Sequence, residues 1–418
     1  MTTRITVRMF TIAAAGLLLA AAGAFLIVWY FNFSVVFYRP GHVTSIGSAT
    51  GEREMLPLVR DGRVKNVILF IGDGMGLSQL AATRIHFEGP DGRLAIERMP
   101  VTGLITPHAI GDLMTDSAAS ATALATGVKT RNKMVSVDPD GVRRSTIVEA
   151  ARDAGLATGL VTSTELSDVT PAAFAAHVAS RKQQSEIAVQ LVESGVDVLL
   201  GEGPHFLPRS DARSERDDDR DPIAMARERG YTIVDSRSTL EEVHTGSVLG
   251  LFSGILTDRM DPEIEPAAGT PSLAELTSKA IDLLARDRDG FFLVVEEEGT
   301  DWGGHANRED YFLHYLRQLD LAVAAALQFA IDDGTTLVLV TSDHETGGMN
   351  IVMGGLRSRQ ESFRRGSMEM AWSTDGHTGQ PVPLFAFGPH AIRFTGLRDN
   401  TEIPKITADL LGLTDFAP

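Results

Sequence analysis

The sequence predicts an α/β fold: a mostly parallel central sheet with helices on both faces, preceded by an N-terminal membrane-spanning helix. Three observations lead there. Short apolar runs alternate with amphipathic helical stretches, the pattern of strands covered on two faces. Three of those runs end in acidic residues, at the place where open α/β sheets bind ligands. A nearly unbroken apolar stretch from Phe10 to Phe31 is long enough for a bilayer, which takes about 20 helical residues.

Arg4 and Arg8 precede that stretch and Trp29-Tyr30 close it, as a basic cytoplasmic flank and an interfacial aromatic belt would. A cleaved signal peptide is the alternative, with Ala21 to Ala24 as its cleavage region. The apolar Phe25-Leu26-Ile27-Val28 that follows favours an uncleaved anchor. The rest of the chain is then exported, to the periplasm or outside the cell. Tyr38 to Val64 reads as a linker. Residues 1–44 are expected to form the anchor and linker, and residues 45–418 the catalytic domain.

The strand candidates are Asn66–Gly72, Gly159–Thr162, Val196–Leu200, Phe291–Val295, Thr335–Val340 and Leu384–Phe387. Ser145 to Asp153 and Leu313 to Ala330 are helix candidates. Arg209 to Asp221 is a dense mixed-charge run and reads as a solvated loop. Leu356 to Trp372 reads as an excursion above the sheet near the site entrance.

Composition narrows the function. At 418 residues, 43% hydrophobic and 22% charged, the chain has the apolar content for a sizeable core. A formal charge of −17 argues against nucleic acid as a partner. It also repels anionic substrates, unless bound cations reverse the field locally. With no cysteine, disulfides and thiolate-held metals are excluded.

The acidic strand ends are Asp73, Glu296-Glu297-Glu298 leading to Asp301, and Asp343-His344. Asp301 and His305 stand four apart, on one face of a helix. His377 adds an imidazole in a Gly-rich turn. Imidazole with carboxylate suits Zn²⁺. His86, His108, His177 and His244 are assigned structural places. Ser117 follows Thr115 and Asp116, either of which caps a helix start. That start also favours an anion, and with a metal beside it the hydroxyl becomes a nucleophile. In Asp168-Val169-Thr170-Pro171, Thr170 reads as an N-cap and Pro171 as the first helical residue. Arg181 alone reads as a surface residue.

Taken together, these motifs resemble the alkaline phosphatase family. Asp116-Ser117-Ala118-Ala119-Ser120-Ala121-Thr122 matches its active-site signature. The segment Asp168–Arg181 is similar to the one that supplies a magnesium site and the phosphate-binding arginine. The motifs fall in the family order from about Asn66 to Pro389.

The resemblance implies hydrolysis of small phosphate monoesters to alcohol and phosphate, through a phosphoseryl intermediate on Ser117, with Arg181 on the phosphate. It implies two Zn²⁺, one on Asp301, His305 and His377, the other on Asp73, Asp343 and His344. It implies one Mg²⁺ on Asp73, Thr170 and Glu296, with Asp168 acting through water. Glu296 stands five before Asp301, as the family's Glu does; Glu298 precedes a Gly, as that Glu also does, so both alignments stay open. Trp302 occupies a position that holds Lys or His in some members and tunes phosphate and metal affinity. The segment between His344 and His377 is short, which leaves a homodimer open.

Overall fold

Asn66–Gly72 is apolar at nearly every position and wholly buried, so both faces of that strand must be covered. The structure, a computed structural model, describes residues 22–23, 43–48, 52–252, 269–352, 366–414 and 416. The expected span Phe10–Phe31 lies outside these residues except for Ala22 and Gly23. Among the described residues no helix is long and apolar enough to cross a membrane.

In chain order the strands are β1 (Val43–Ser45), β2 (Asn66–Gly72), β3 (Val101–Thr106), β4 (Ala157–Glu165), β5 (Val198–Glu202), β6 (Thr232–Val234), β7 (Val248–Leu251), β8 (Phe291–Glu297), β9 (Thr336–Thr341), β10 (Glu345–Thr346), β11 (Asn350–Val352), β12 (Ser367–Ala371), β13 (His377–Thr378), β14 (Val382–Phe387) and β15 (Gly396–Asp399). A ten-stranded sheet has the order β15-β3-β14-β9-β2-β8-β4-β5-β7-β6. Its neighbours are parallel except where β14 pairs antiparallel with β3 and β9.

Side chains alternate across the sheet and build a core on each face. Val67, Leu69, Phe292, Val294 and Leu339 pack with Ala118, Leu124, Ile187 and Leu191, from helices Ser117–Thr126 and Gln184–Glu193. Ile68, Phe70, Leu293, Val295 and Val340 pack with Leu276, Ile281, Leu316 and Val323, from helices Leu273–Leu284 and Glu309–Asp333. Each fully buried Leu, Ile or Val contributes about 1.5–3 kcal/mol over an exposed one. A small sheet, β1-β12-β11, sits on Ala82, Phe312 and Trp372.

The expected strands are all present, Asn66–Gly72 with the expected bounds and the others with a shifted end, and β8 runs on to include Glu296 and Glu297. The strands β3, β6, β7 and β15 went unforeseen. Three of them are short, and β3 alternates buried with exposed residues. The helix expected from Ser145 begins at Ile147, because Thr146 and Glu149 close a capping box. The candidate Leu313–Ala330 lies within Glu309–Asp333. Arg209–Asp221 forms turns and bends with no helix or strand. Of Leu356–Trp372, residues 353–365 lie outside the described part, and Ser367–Ala371 forms β12. Within the expected linker, Val43–Ser45 pairs with β12.

Candidate active site

Parallel strands carry their carboxyl ends to one edge, and β2, β8 and β9 lie side by side. Asp73, Glu296 and Asp343 therefore converge from distant parts of the chain. Gly74 turns the chain after Asp73 at φ +70°. A Cβ there would fall 2.7 Å from the Asp301 Cα, so glycine permits the close approach of the two segments. The Gly74 N–H donates to Asp343 Oδ1 (3.2 Å), as does that of His344 (2.9 Å). One oxygen of Asp343 is thus fixed by backbone and the other is left over.

Ser117 opens the helix Ser117–Thr126. Asp116 is its N-cap, accepting from the Ala119 N–H at 3.0 Å. The other Asp116 oxygen accepts from the Lys133 N–H at 2.8 Å. Ala118, Ala119 and Ala121 are buried, and their small size lets the helix dock closely. Ser120 Oγ donates to the Asp343 carbonyl at 2.7 Å. The result places Ser117 Oγ 3.3 Å from His344 Nε2.

His305 Nε2 lies 3.2 Å from Asp301 Oδ2, as their helical spacing foretells, and 3.2 Å from His377 Nε2. His305 Nδ1 is 2.6 Å from the Asp375 carbonyl and His377 Nδ1 is 2.7 Å from that of Thr115. Both Nδ1 atoms are thereby set as donors, and the two Nε2 atoms are turned toward each other and toward Asp301, where a cation could replace the proton between them. Arg181 donates from Nη2 to Asp168 Oδ1 (3.0 Å), with Nη1 3.7 Å from Asp116 Oδ2. The cap of helix Val169–Ala172 is Asp168, which accepts from the Val169 N–H. Thr170 is not the cap; it sits inside the helix and donates to Asp73 Oδ2 at 3.3 Å.

Three groups of donor atoms are close enough to share a cation: Asp301, His344 and His377; Asp73, Asp343 and His344; Asp73, Glu296 and Glu298. The expected ligands thus meet in one place, with His305 beside the first group and Thr170 beside the third. Buried Asp73 Oδ1, Glu296 Oε1 and Asp343 Oδ2 accept no hydrogen bond among the described residues. A buried carboxylate without a partner is costly. Orphaned oxygens beside imidazole nitrogens fit divalent metal ions in donor type and in charge.

Burial, followed by the charge of Asp301, lifts Asp343 to about 7. Burial also lifts Glu296 to about 8, with Asp168 adding to it. Asp73 rises well above the carboxylate range through burial and then the charge of Asp343. For Asp301, burial is outweighed by the His305 hydrogen bond and the nearby imidazoles, and it falls to about 2. Its partner His305 rises to about 9, chiefly through that bond. Burial and then His377 hold His344 well below its usual value, so it is a neutral donor.

Sequence reasoning missed Thr346. Its buried hydroxyl donates to Asp301 Oδ1 and lies 3.2 Å from His344 Nδ1, so it orients a ligand of two groups. A threonine two residues past a histidine carries no sequence signal for this. Gln79, Glu345 and Thr378 form a second hidden support, holding β10 against β13 and so placing His377. His177 bonds Ser136 and Glu149 instead of joining a ligand group, as assigned.

The family profile described as "Alkaline phosphatase" matches residues 64–363 and 355–413. The chain is 34% identical over 436 residues to the alkaline phosphatase of Escherichia coli, covering 89% of this chain and 92% of that protein. Among solved structures, the alkaline phosphatase from the Antarctic bacterium TAB5 is similar at a TM-score of 0.73. It is 31% identical, and the match covers 86% of this chain and 100% of that one. A mutant of the TAB5 enzyme solved with Mg bound is similar at a TM-score of 0.72, with the same 31% identity and the same coverage of 86% and 100%.

Proposed function

The chain belongs to the alkaline phosphatase family and hydrolyses phosphate monoesters in a metal-dependent reaction; on that premise we propose that Ser117 is its nucleophile. The observation that carries this is the place of Ser117 Oγ. It stands at a helix N-terminus, 3.3 Å from His344 Nε2, beside buried carboxylates that each keep one oxygen without a hydrogen bond among the described residues.

Asp301, His305 and His377 would hold one zinc, and Asp73, Asp343 and His344 a second. Asp73, Thr170 and Glu296 would hold a magnesium, with Asp168 reaching it through water. Bound there, such ions lower the pKa of a nucleophile and offset charge on the attacking and leaving oxygens. Ser117 Oγ attacks phosphorus, the bond to the alcohol oxygen breaks, and a phosphoserine remains. Water then attacks that phosphoserine, releases phosphate and restores the hydroxyl. The guanidinium of Arg181 turns from Asp168 to two phosphate oxygens, which its planar fork matches. The free N–H groups at the start of the Ser117 helix favour the same anion.

Residues 45–418 are the catalytic unit. The basic flank and the apolar run Phe10–Phe31 support its export and its tethering to the membrane. Acid quenching during turnover, followed by peptide mass spectrometry, tests the nucleophile. Phosphate is expected on Ser117, chelation abolishes its appearance, and Zn²⁺ with Mg²⁺ restores it. Label on another residue, with Ser117→Ala still active, refutes the assignment.

A further inference from the structure

Three successive glutamates, Glu296, Glu297 and Glu298, close β8 and lead on toward the site, and the resemblance uses one of them. The structure separates their roles. In extended chain, alternate residues share a side. Glu297 points away, accepting from Ser163 Oγ (3.1 Å) and the Gly299 N–H (2.9 Å). Glu296 and Glu298 point together, and their oxygens close a group with Asp73 in which the donor atoms lie within 4.8 Å of one another. All three residues are buried. The cluster is more than a set of like charges, because Glu296 Oε1 and Asp73 Oδ1 are enclosed without a hydrogen-bond partner.

Glu298 is also held in place from two directions. Its backbone N–H donates to Ser163 Oγ at 3.1 Å. Its Oε1 accepts from Trp302 Nε1 at 2.9 Å, one helical turn on. The indole thus has a defined task at a position where a Lys or His side chain would present a different group.

We propose that Glu298 is a ligand of the magnesium ion and that Trp302 is the positioning residue that aims it. The assignment rests on the metal-dependent reading of the site. An all-oxygen group with three carboxylates suits a hard cation and disfavours zinc. One divalent ion leaves three carboxylates with one net negative charge, so the ion is held more firmly than by two. The two alignments of the glutamates are therefore not rivals: Glu296 and Glu298 serve one ion.

The test uses the full chain with zinc supplied first and Mg²⁺ titrated calorimetrically. Glu298→Gln removes charge and keeps size, and is expected to weaken Mg²⁺ binding more than about 10-fold. Trp302→Phe keeps an aromatic ring without the N–H; loss of such a supporting partner typically costs about 10–100-fold in metal affinity. Trp302 is half-buried, so this second variant tests the idea if Glu298→Gln fails to fold. Unchanged Mg²⁺ affinity in Glu298→Gln, or in Trp302→Phe, overturns the corresponding half of the proposal. Turnover is measured separately. Glu298-dependent Mg²⁺ binding in a chain that hydrolyses no phosphate monoester would sink the proposed function and leave the ligand assignment standing. Normal turnover with Mg²⁺ affinity indifferent to Glu298 would do the reverse.

Discussion

Arg181→Ala should cost the protein much of its preference for monoesters over diesters. The guanidinium sits 3.0 Å from Asp168 and 3.7 Å from Asp116, the cap of the helix that Ser117 opens. A bound monoester presents three non-bridging oxygens, enough for one near the nucleophile and two on the fork. A diester presents two, so the fork loses a partner. Each charge-assisted hydrogen bond contributes about 1.5–3 kcal/mol, and the side chain is 29% exposed, which favours the lower half of that range. One bond of difference then corresponds to a factor of about 10–50 in kcat/KM. The variant should lose that factor more with an aryl phosphate than with a bis-aryl phosphate. Arg181→Lys should recover only part of it, since an ammonium lacks the planar fork. The assay compares both substrates on all three proteins. A monoester-to-diester ratio unchanged in Arg181→Ala would refute the reasoning and remove Arg181 from the phosphate.

Other outcomes follow from local features. Gly74→Ala places a side chain at φ +70° and within 2.9 Å of Asp301 Oδ1; it should destabilise the protein by at least about 1–2 kcal/mol in urea melts and reduce bound zinc. Glu149 falls from 4.5 to about 2, since burial is outweighed by bonds from His177, the Thr146 N–H and Arg143. A depressed carboxylate stabilises the fold above its unfolded pKa. Up to about 3 kcal/mol should therefore be lost as the pH falls from 4.5 toward 2, and Glu149→Gln should flatten that part of the acid-unfolding curve. Membrane fractionation with N-terminal sequencing should find the chain membrane-bound and intact through Phe10–Phe31; a soluble form beginning near Ala24 would show cleavage instead.

What the sequence made legible was chemistry at strand ends. Asp73, Asp343 and His344 follow apolar runs, and a run that must be buried points its carboxyl end at a fixed edge. Asp301 and His305 needed only helical spacing. Edge strands such as β6 and β15 escaped because three or four residues carry too little pattern to separate from a loop. The hydroxyl of Thr346 and the indole of Trp302 escaped for another reason. Their meaning lies in which atom meets them, and only the packed arrangement of β10, β13 and the helix Gly299–Ala306 settles that. The cap at Asp168 was misplaced by two residues because Pro171 suited an N-terminal position in either register.

Strand β14 is the one member of the central sheet that runs against the rest. Asp73 and Asp343 come just after their strands and Glu296 near the carboxyl end of β8, but His377 arrives before β14 begins. The reversal puts the entrance of β14 at the edge where its neighbours exit, with Leu384 opposite Thr341. Order of synthesis then acquires a meaning. A growing chain that has reached Asp343 holds most of its candidate ligands, yet the first donor group is incomplete until the segment that leads into the reversed strand has been made and inserted. An ion held by that group would report that the C-terminal part has arrived, and a prematurely terminated chain would be marked by the metal it fails to keep.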